Sequence, residues 1–144
     1  MRLADILDRS GLDVLGHLER ALTVPVIDGL QAQGDLIVVP APMLGTVGVH
    51  SFASWEPVPR SGVELVRGEA GNNPHTLVAD PGTCHWTTGV RDPLWLAIGM
   101  FSNTSPVYLV HPEHGGSGVA PGRWVVRRQQ ERSGGFRRNV LVAD

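Results

Sequence analysis

The sequence contains no lysine; all twelve of its basic residues are arginine. That absence removes a phosphate-loop lysine, a Schiff-base lysine and a Ser-Lys dyad in one step. There is a single cysteine, Cys84, so no internal disulfide can form, which fits a reducing compartment. No run approaches the roughly 18 apolar residues of a membrane-spanning helix. The opening segment carries Asp5 and Asp8 among its apolar residues and does not read as a secretory signal, so a cytoplasmic location is expected. Strong net charge is also lacking. The formal value of −2 excludes a protein that binds nucleic acid by overall electrostatics.

What is present suits one compact domain. A chain of 144 residues with 42% hydrophobic content can bury a core without disulfides. Eighteen glycines and eleven prolines favour many turns over long helices. Leu3, Ile6 and Leu7 share a helical face, so residues 3–9 predict a short helix ending near Gly11. Residues 12–22 repeat leucine at helical spacing, but Gly16 weakens a helix there, and residues 22–27 read as a short strand.

From Gly34 onward the pattern is β. Strands are predicted at 36–39, 63–67, 75–79, 83–88, 94–100, 107–110, 123–128 and 140–142, each set off by Gly, Pro, Asn or Asp. The expected fold is therefore mainly β, a small single-domain barrel or sandwich with a short N-terminal helix. Residues 1–24 form the N-terminal segment and 25–144 the β domain. The Pro- and Gly-rich stretch 41–62 is expected to be a long loop whose Phe52 and Trp55 fold back as a plug. Trp86 and Trp95 fit strand positions. Gly115 to Gly118 reads as a turn.

Three histidines sit beside turn chemistry: His75 after Asn72-Asn73-Pro74, and His111 and His114 in His111-Pro112-Glu113-His114. Pro112 keeps His111 out of a helix, so the tetrapeptide reads as a strand end. If the strands holding His75 and His111 are antiparallel neighbours, the three rings meet at one end of the sheet. With a carboxylate from Glu113, Glu69 or Asp80 they would suit Zn, Fe, Mn or Ni, and an open position would allow water activation. The competing reading needs no metal, because imidazoles at strand ends commonly serve as hydrogen-bonding turn residues.

Other groups carry less chemistry. In a strand, Cys84 and His85 point to opposite faces and cannot act as nucleophile and base, so Cys84 is expected in the core. No serine lies in Gly-x-Ser-x-Gly. Residues 121–138 hold six arginines against one glutamate, on a chain whose first 80 residues carry a net −5. In a strand, Arg123, Val125 and Arg127 share one face, and Trp124, Val126 and Arg128 the other. Neither face is a continuous basic stripe, so specific pairing is expected rather than nucleic-acid binding.

The stretches Gln33-Gly34-Asp35-Leu36-Ile37, Gly68-Glu69 with His75 to Asp80, His111 to His114, and Pro121-Gly122 through Arg127-Arg128-Gln129-Gln130-Glu131 resemble a family of small, uncharacterised bacterial proteins. Its members show a Gly-Asp-Val start, a Gly-His-x-His strand, a His-Glu-Glu-His turn and a Pro-Gly-Thr-Tyr strand running into Arg-Gln-Arg-Glu. The resemblance spans about residues 31–144 and is densest towards the C-terminus. It implies a compact β domain and assigns no activity. One departure matters: the first His of Gly-His-x-His falls near Asn73, so only His75 of that pair remains.

The leading functional expectation is a non-enzymatic binding or interaction module. Trp55, Arg127 and Arg128 are its candidate contacts to a protein partner, a second copy or a small ligand, with no cofactor. The alternative is a metal-binding protein or metal-dependent enzyme, with His75, His111, His114 and Glu113 around a divalent transition metal. A third expectation is a structural subunit of a larger, phage-derived assembly.

Overall fold

The computed structural model describes residues 1–16, 20–67, 74–133 and 138–141. One helix, α1 (Leu3–Ser10), buries Leu3, Ile6, Leu7 and Ser10 along a single face. It ends at Gly11, whose N–H returns to the Leu7 carbonyl at 2.9 Å. The leucine spacing over 12–22 does not extend it. Asp13 instead turns its carboxylate onto the Val14 N–H at 2.8 Å and the Arg20 guanidinium at 3.0 Å. A side chain that captures nearby backbone N–H groups competes with helix formation.

The rest is β. The early strands are β1 (Val26–Ile27), β2 (Gln31–Gln33), β3 (Leu36–Pro40), β4 (Gly48–Val49) and β5 (Glu56–Pro57). In the middle come β6 (Val63–Arg67), β7 (Pro74–Val78), β8 (Cys84–Thr87), β9 (Val90–Arg91) and β10 (Ala97–Asn103). The last are β11 (Val107–His111), β12 (Gly115–Val119), β13 (Gly122–Arg128), β14 (Gln130–Ser133) and β15 (Arg138–Leu141). They form a five-stranded sheet, β1-β12-β11-β7-β6, and a six-stranded sheet, β2-β3-β13-β10-β8-β5. Two small ribbons, β4–β9 and β14–β15, complete the set. No sheet closes into a barrel, and the two large ones share one core in a sandwich-like arrangement.

That core explains the alternation along the strands. Leu77, Val107, Leu109 and Val119 from the first sheet meet Leu36, Val38, Trp86, Phe101, Trp124 and Val126 from the second. Each such buried apolar side chain contributes roughly 1.5–3 kcal/mol. Both outer faces are covered as well. Helix α1 packs on Val78, Tyr108 and Val110 of the first sheet. Val47, Leu44 and Trp55 from the long loop pack on Met100 and Val125 of the second. Among the described residues no helix is long and apolar enough to cross a membrane.

Three expectations need correction. Gly115 to Gly118 is not a turn but most of β12, an interior strand between β1 and β11. Its glycines admit the N-terminal segment: a Cβ on Gly118 would sit 2.6 Å from the Pro25 carbonyl. The strand expected over 94–100 begins only at Ala97, because a turn captures the residues before it. Phe52 does not fold back with Trp55. It is 82% exposed, its ring stacked on His50 at 5.0 Å.

Candidate functional site

Two polar constellations stand out, one buried and one exposed. The buried one starts from the β2–β3 hairpin. Gly34, with φ of 57°, makes the two-residue turn with Asp35 possible. Gln129 clamps that turn, its backbone N–H on the Asp35 carbonyl at 2.8 Å and its side-chain amide on the Gly34 carbonyl at 2.9 Å. The hairpin thereby aims Gln33 and Asp35 at His75, on the opposite sheet.

His75 is fully buried. Its Nδ1 lies 3.0 Å from Gln33 Oε1 and its Nε2 lies 2.8 Å from Asp35 Oδ1. The amide orientation of Gln33 follows from its other contacts. Its Nε2 donates to the Leu109 carbonyl and to Ser117 Oγ, both at 3.0 Å, so its oxygen must face the imidazole. His75 Nδ1 therefore donates. Its Nε2 faces the Asp35 carboxyl group, so both ring nitrogens are engaged by side chains of the hairpin.

Strands β7 and β11 are antiparallel neighbours, with Val110 opposite Thr76, so His75 and His111 come side by side. Their ring centroids lie 4.5 Å apart, and His114 packs on His111 at 4.4 Å and faces His75 at 6.4 Å. The rings converge, but several nitrogens are already engaged. His111 Nδ1 accepts the backbone N–H groups of Glu113 at 3.0 Å and His114 at 3.2 Å, which fixes that nitrogen as unprotonated. Among the described residues no group of three or more His, Cys, Asp or Glu side chains has the arrangement of a metal site.

The carboxylate that joins this cluster is Asp35, which is not among the carboxylates expected from the sequence. The signal was there: Gln33 and Asp35 are polar residues flanking a hairpin glycine beside an apolar strand. Asp80 instead pairs with Arg9 at 3.1 Å. Glu113 is exposed and supplies its backbone N–H. Glu69 lies outside the described residues.

The exposed constellation is built on Asp92-Pro93. Asp at the first position and Pro at the second favour a tight turn. The Asp92 carbonyl accepts the Trp95 N–H at 2.9 Å. Its carboxylate accepts the N–H groups of Leu94 at 3.0 Å, Leu96 at 3.2 Å and Ala97 at 2.8 Å. Arg127 completes the set with a two-pronged pair, Nε to Oδ2 at 2.9 Å and Nη2 to Oδ1 at 2.8 Å. Burial alone would raise the Asp92 pKa. The Arg127 hydrogen bonds and charge and the backbone N–H groups outweigh it and pull the carboxyl down to about 2.

This scaffold presents Trp95. It is 93% exposed and has φ of 57°, the left-handed region that glycine favours. A cleft of about 590 Å³ opens beside it, with His50, Arg91 and Thr46 also on its walls. A larger cleft of about 870 Å³ lies by α1, but Arg9 and Asp80 on its wall are paired to each other.

The other expected site residues are partly buried against neighbouring elements. Trp55 is half-buried in the outer cluster, with the Arg123 guanidinium 5.1 Å above its ring. Arg127 is committed to Asp92, and Arg128 is half-buried opposite Leu36. Cys84 lies in the core, where burial pushes its thiol up to about 12, so it is no nucleophile at neutral pH. The feature that sequence reasoning missed is Trp95, placed in a strand because its neighbours are apolar. Asp92-Pro93 was the available signal.

No curated protein and no solved structure matches the chain. A family model described as a domain of unknown function, DUF8820, matches residues 32–129. That span takes in Gln33, Asp35, the three histidines, Asp92, Trp95 and Arg127. With about two thirds of its length matched, the chain belongs to the DUF8820 family.

Proposed function

We propose that the protein is a non-enzymatic binding module whose recognition face is the cleft walled by Trp95 and His50. One observation carries this reading. A bulky residue occupies a left-handed position that costs roughly 1–3 kcal/mol, and five hydrogen bonds accepted by one carboxylate hold it there while its ring stays in solvent. Folding gains little from an indole so exposed. Aromatic side chains held rigidly at a surface are the usual anchors of recognition. The cleft volume falls within the roughly 300–1,000 Å³ of small-ligand sites.

The test is to follow the four indole N–H signals by NMR. The panel contains mononucleotides, neutral disaccharides, aromatic peptides and a dilution series of the protein itself. The expected result is a saturable shift of the Trp95 signal with one class, and in Trp95→Gly no saturable shift of the His50 or Arg91 backbone signals with that class. A Trp95 signal indifferent to every member and to protein concentration would overturn the reading.

A second reading, a transition-metal site, is favoured by the convergence of His75, His111 and His114 within 6.4 Å. It requires His75 to give up Gln33 or Asp35. Added Zn or Ni should then raise the melting temperature of untagged protein and displace the His75 ring signals. No shift on addition removes it.

A further inference from the structure

We propose that the Trp95–His50 cleft takes a free nucleoside phosphate, its base stacked on the Trp95 indole and its phosphate met by Arg91. This rests on the binding reading above and names the ligand class of that same site. The β4–β9 ribbon carries one wall of the cleft. Gly48 pairs with Arg91 and Val49 with Val90, and the His50 N–H continues the ladder to the Gly89 carbonyl at 2.8 Å. Residues 48 and 50 point to one face, and Arg91, opposite Gly48, shares it. His50 and Arg91 are therefore diagonal neighbours, about 7–8 Å apart along the backbone. Gly48 puts no side chain between them, and a Cβ there would meet nothing within 4 Å.

Charge selects the ligand. Among the described residues the only carboxylate on the cleft wall is Asp92, and Arg127 and three backbone N–H groups occupy it. Arg91 is exposed and has no carboxylate partner among the described residues. The cleft thus offers an exposed indole, an imidazole backed by Phe52 at 5.0 Å and a planar guanidinium donor. Neutral sugars favour carboxylate and amide side chains as partners for their hydroxyls, and the one such side chain on the wall is already occupied. A flat base satisfies the indole, and a phosphate satisfies the guanidinium. The net charge of −2 disfavours a long polyanion, so the ligand is a free mononucleotide rather than a strand.

The experiment titrates AMP against full-length protein and reads the Trp95 indole N–H shift together with fluorescence. The comparators are adenosine, inorganic phosphate, a neutral disaccharide, an aromatic peptide and a 5′-phosphorylated tetranucleotide. AMP should bind at least tenfold more tightly than adenosine or phosphate. Arg91→Gln should reduce AMP to the level of adenosine, and Trp95→Gly should abolish both. AMP binding no tighter than adenosine or phosphate overturns the ligand class. So does a tetranucleotide that binds more than tenfold tighter than AMP. If the disaccharide or peptide shifts Trp95 and AMP does not, the ligand class falls and the binding reading stands. If nothing shifts Trp95, both fall.

Discussion

The buried cluster around His75 and the exposed turn around Trp95 are built on the same device and put it to opposite use. Each rests on an aspartate of a turn, Asp35 after Gly34 and Asp92 before Pro93. Asp92 gathers three backbone N–H groups and a guanidinium, whereas Asp35 meets the His75 imidazole. Asp35 faces inward, and its pair with His75 joins the β2–β3 hairpin of one sheet to β7 of the other. Asp92 faces its own turn and Arg127, and what it supports is displayed to solvent. The difference teaches where to look for each role. A sealed polar network between two sheets fixes how they align and is costly to disturb. A network that holds a strained, exposed ring adds little to the core and points to recognition.

The largest expected effect is at the sealed network. His75→Leu leaves the Asp35 carboxylate and the Gln33 oxygen buried without their partner. Removing one member of a buried pair costs about 3–5 kcal/mol. Urea unfolding measures it, and a loss under about 1 kcal/mol would break the comparison. The same network makes a spectroscopic prediction. In long-range ¹⁵N–¹H spectra His111 should show an unprotonated Nδ1, because two backbone N–H groups point at it, whereas His75 should carry a proton on Nδ1, which faces the Gln33 oxygen.

The second effect is at the exposed turn. Asp92→Asn removes the charge and leaves one acceptor oxygen for Arg127 and three N–H groups. A cost of about 2–3 kcal/mol is expected, smaller than at His75 because the Arg127 side chain is 14% exposed and still reaches water. The pH dependence follows from the lowered Asp92 carboxyl. Its ordinary value is 3.8 and its folded value about 2. A depressed folded value means that the unfolded chain binds the proton first. The stabilisation is therefore complete above about pH 4 and is lost as pH falls towards about 2. Thermal melts should show wild type and Asp92→Asn converging through that window. A constant difference across it would show that the Asp92 charge plays no part.

Much of the fold could be read from the residues because it depends on local patterns. Helix α1 follows from Leu3, Ile6 and Leu7 on one face, and β6 and β13 from alternation between turn signals. The meeting of His75 with His111 followed from strand ends, and the opposite facing of Cys84 and His85 from the two-residue period. What escaped was long-range. Gln33 and Asp35 reach His75 across 42 and 40 positions of chain, and Arg127 reaches Asp92 across 35. The glycines of β12 look like a turn until the N-terminal segment is seen to need their missing side chains. Trp95 looked like a strand residue because an apolar run, Leu94 to Ala97, does not reveal which backbone N–H groups an aspartate has taken.

The smallest expected effect on stability is the one that separates the two regions most sharply. Replacing a large tryptophan by glycine inside a fold normally costs several kcal/mol. Trp95→Gly should instead fall within about 1 kcal/mol of wild type. Relief of the left-handed backbone returns roughly 1–2 kcal/mol. Glycine's greater freedom in the unfolded chain offsets about 0.5–1 kcal/mol of that. At 93% exposure the indole has little burial to lose. Trp95→Ala keeps a Cβ in the same strained position and should be about 1 kcal/mol less stable than Trp95→Gly. Urea midpoints of the three proteins measure both differences. If glycine costs more than about 2 kcal/mol, the indole is holding the turn rather than being held by it. The exposed region would then be a second structural network. If glycine is neutral, the strain at Trp95 serves nothing inside this chain, and the reason for keeping it must lie in what the indole touches.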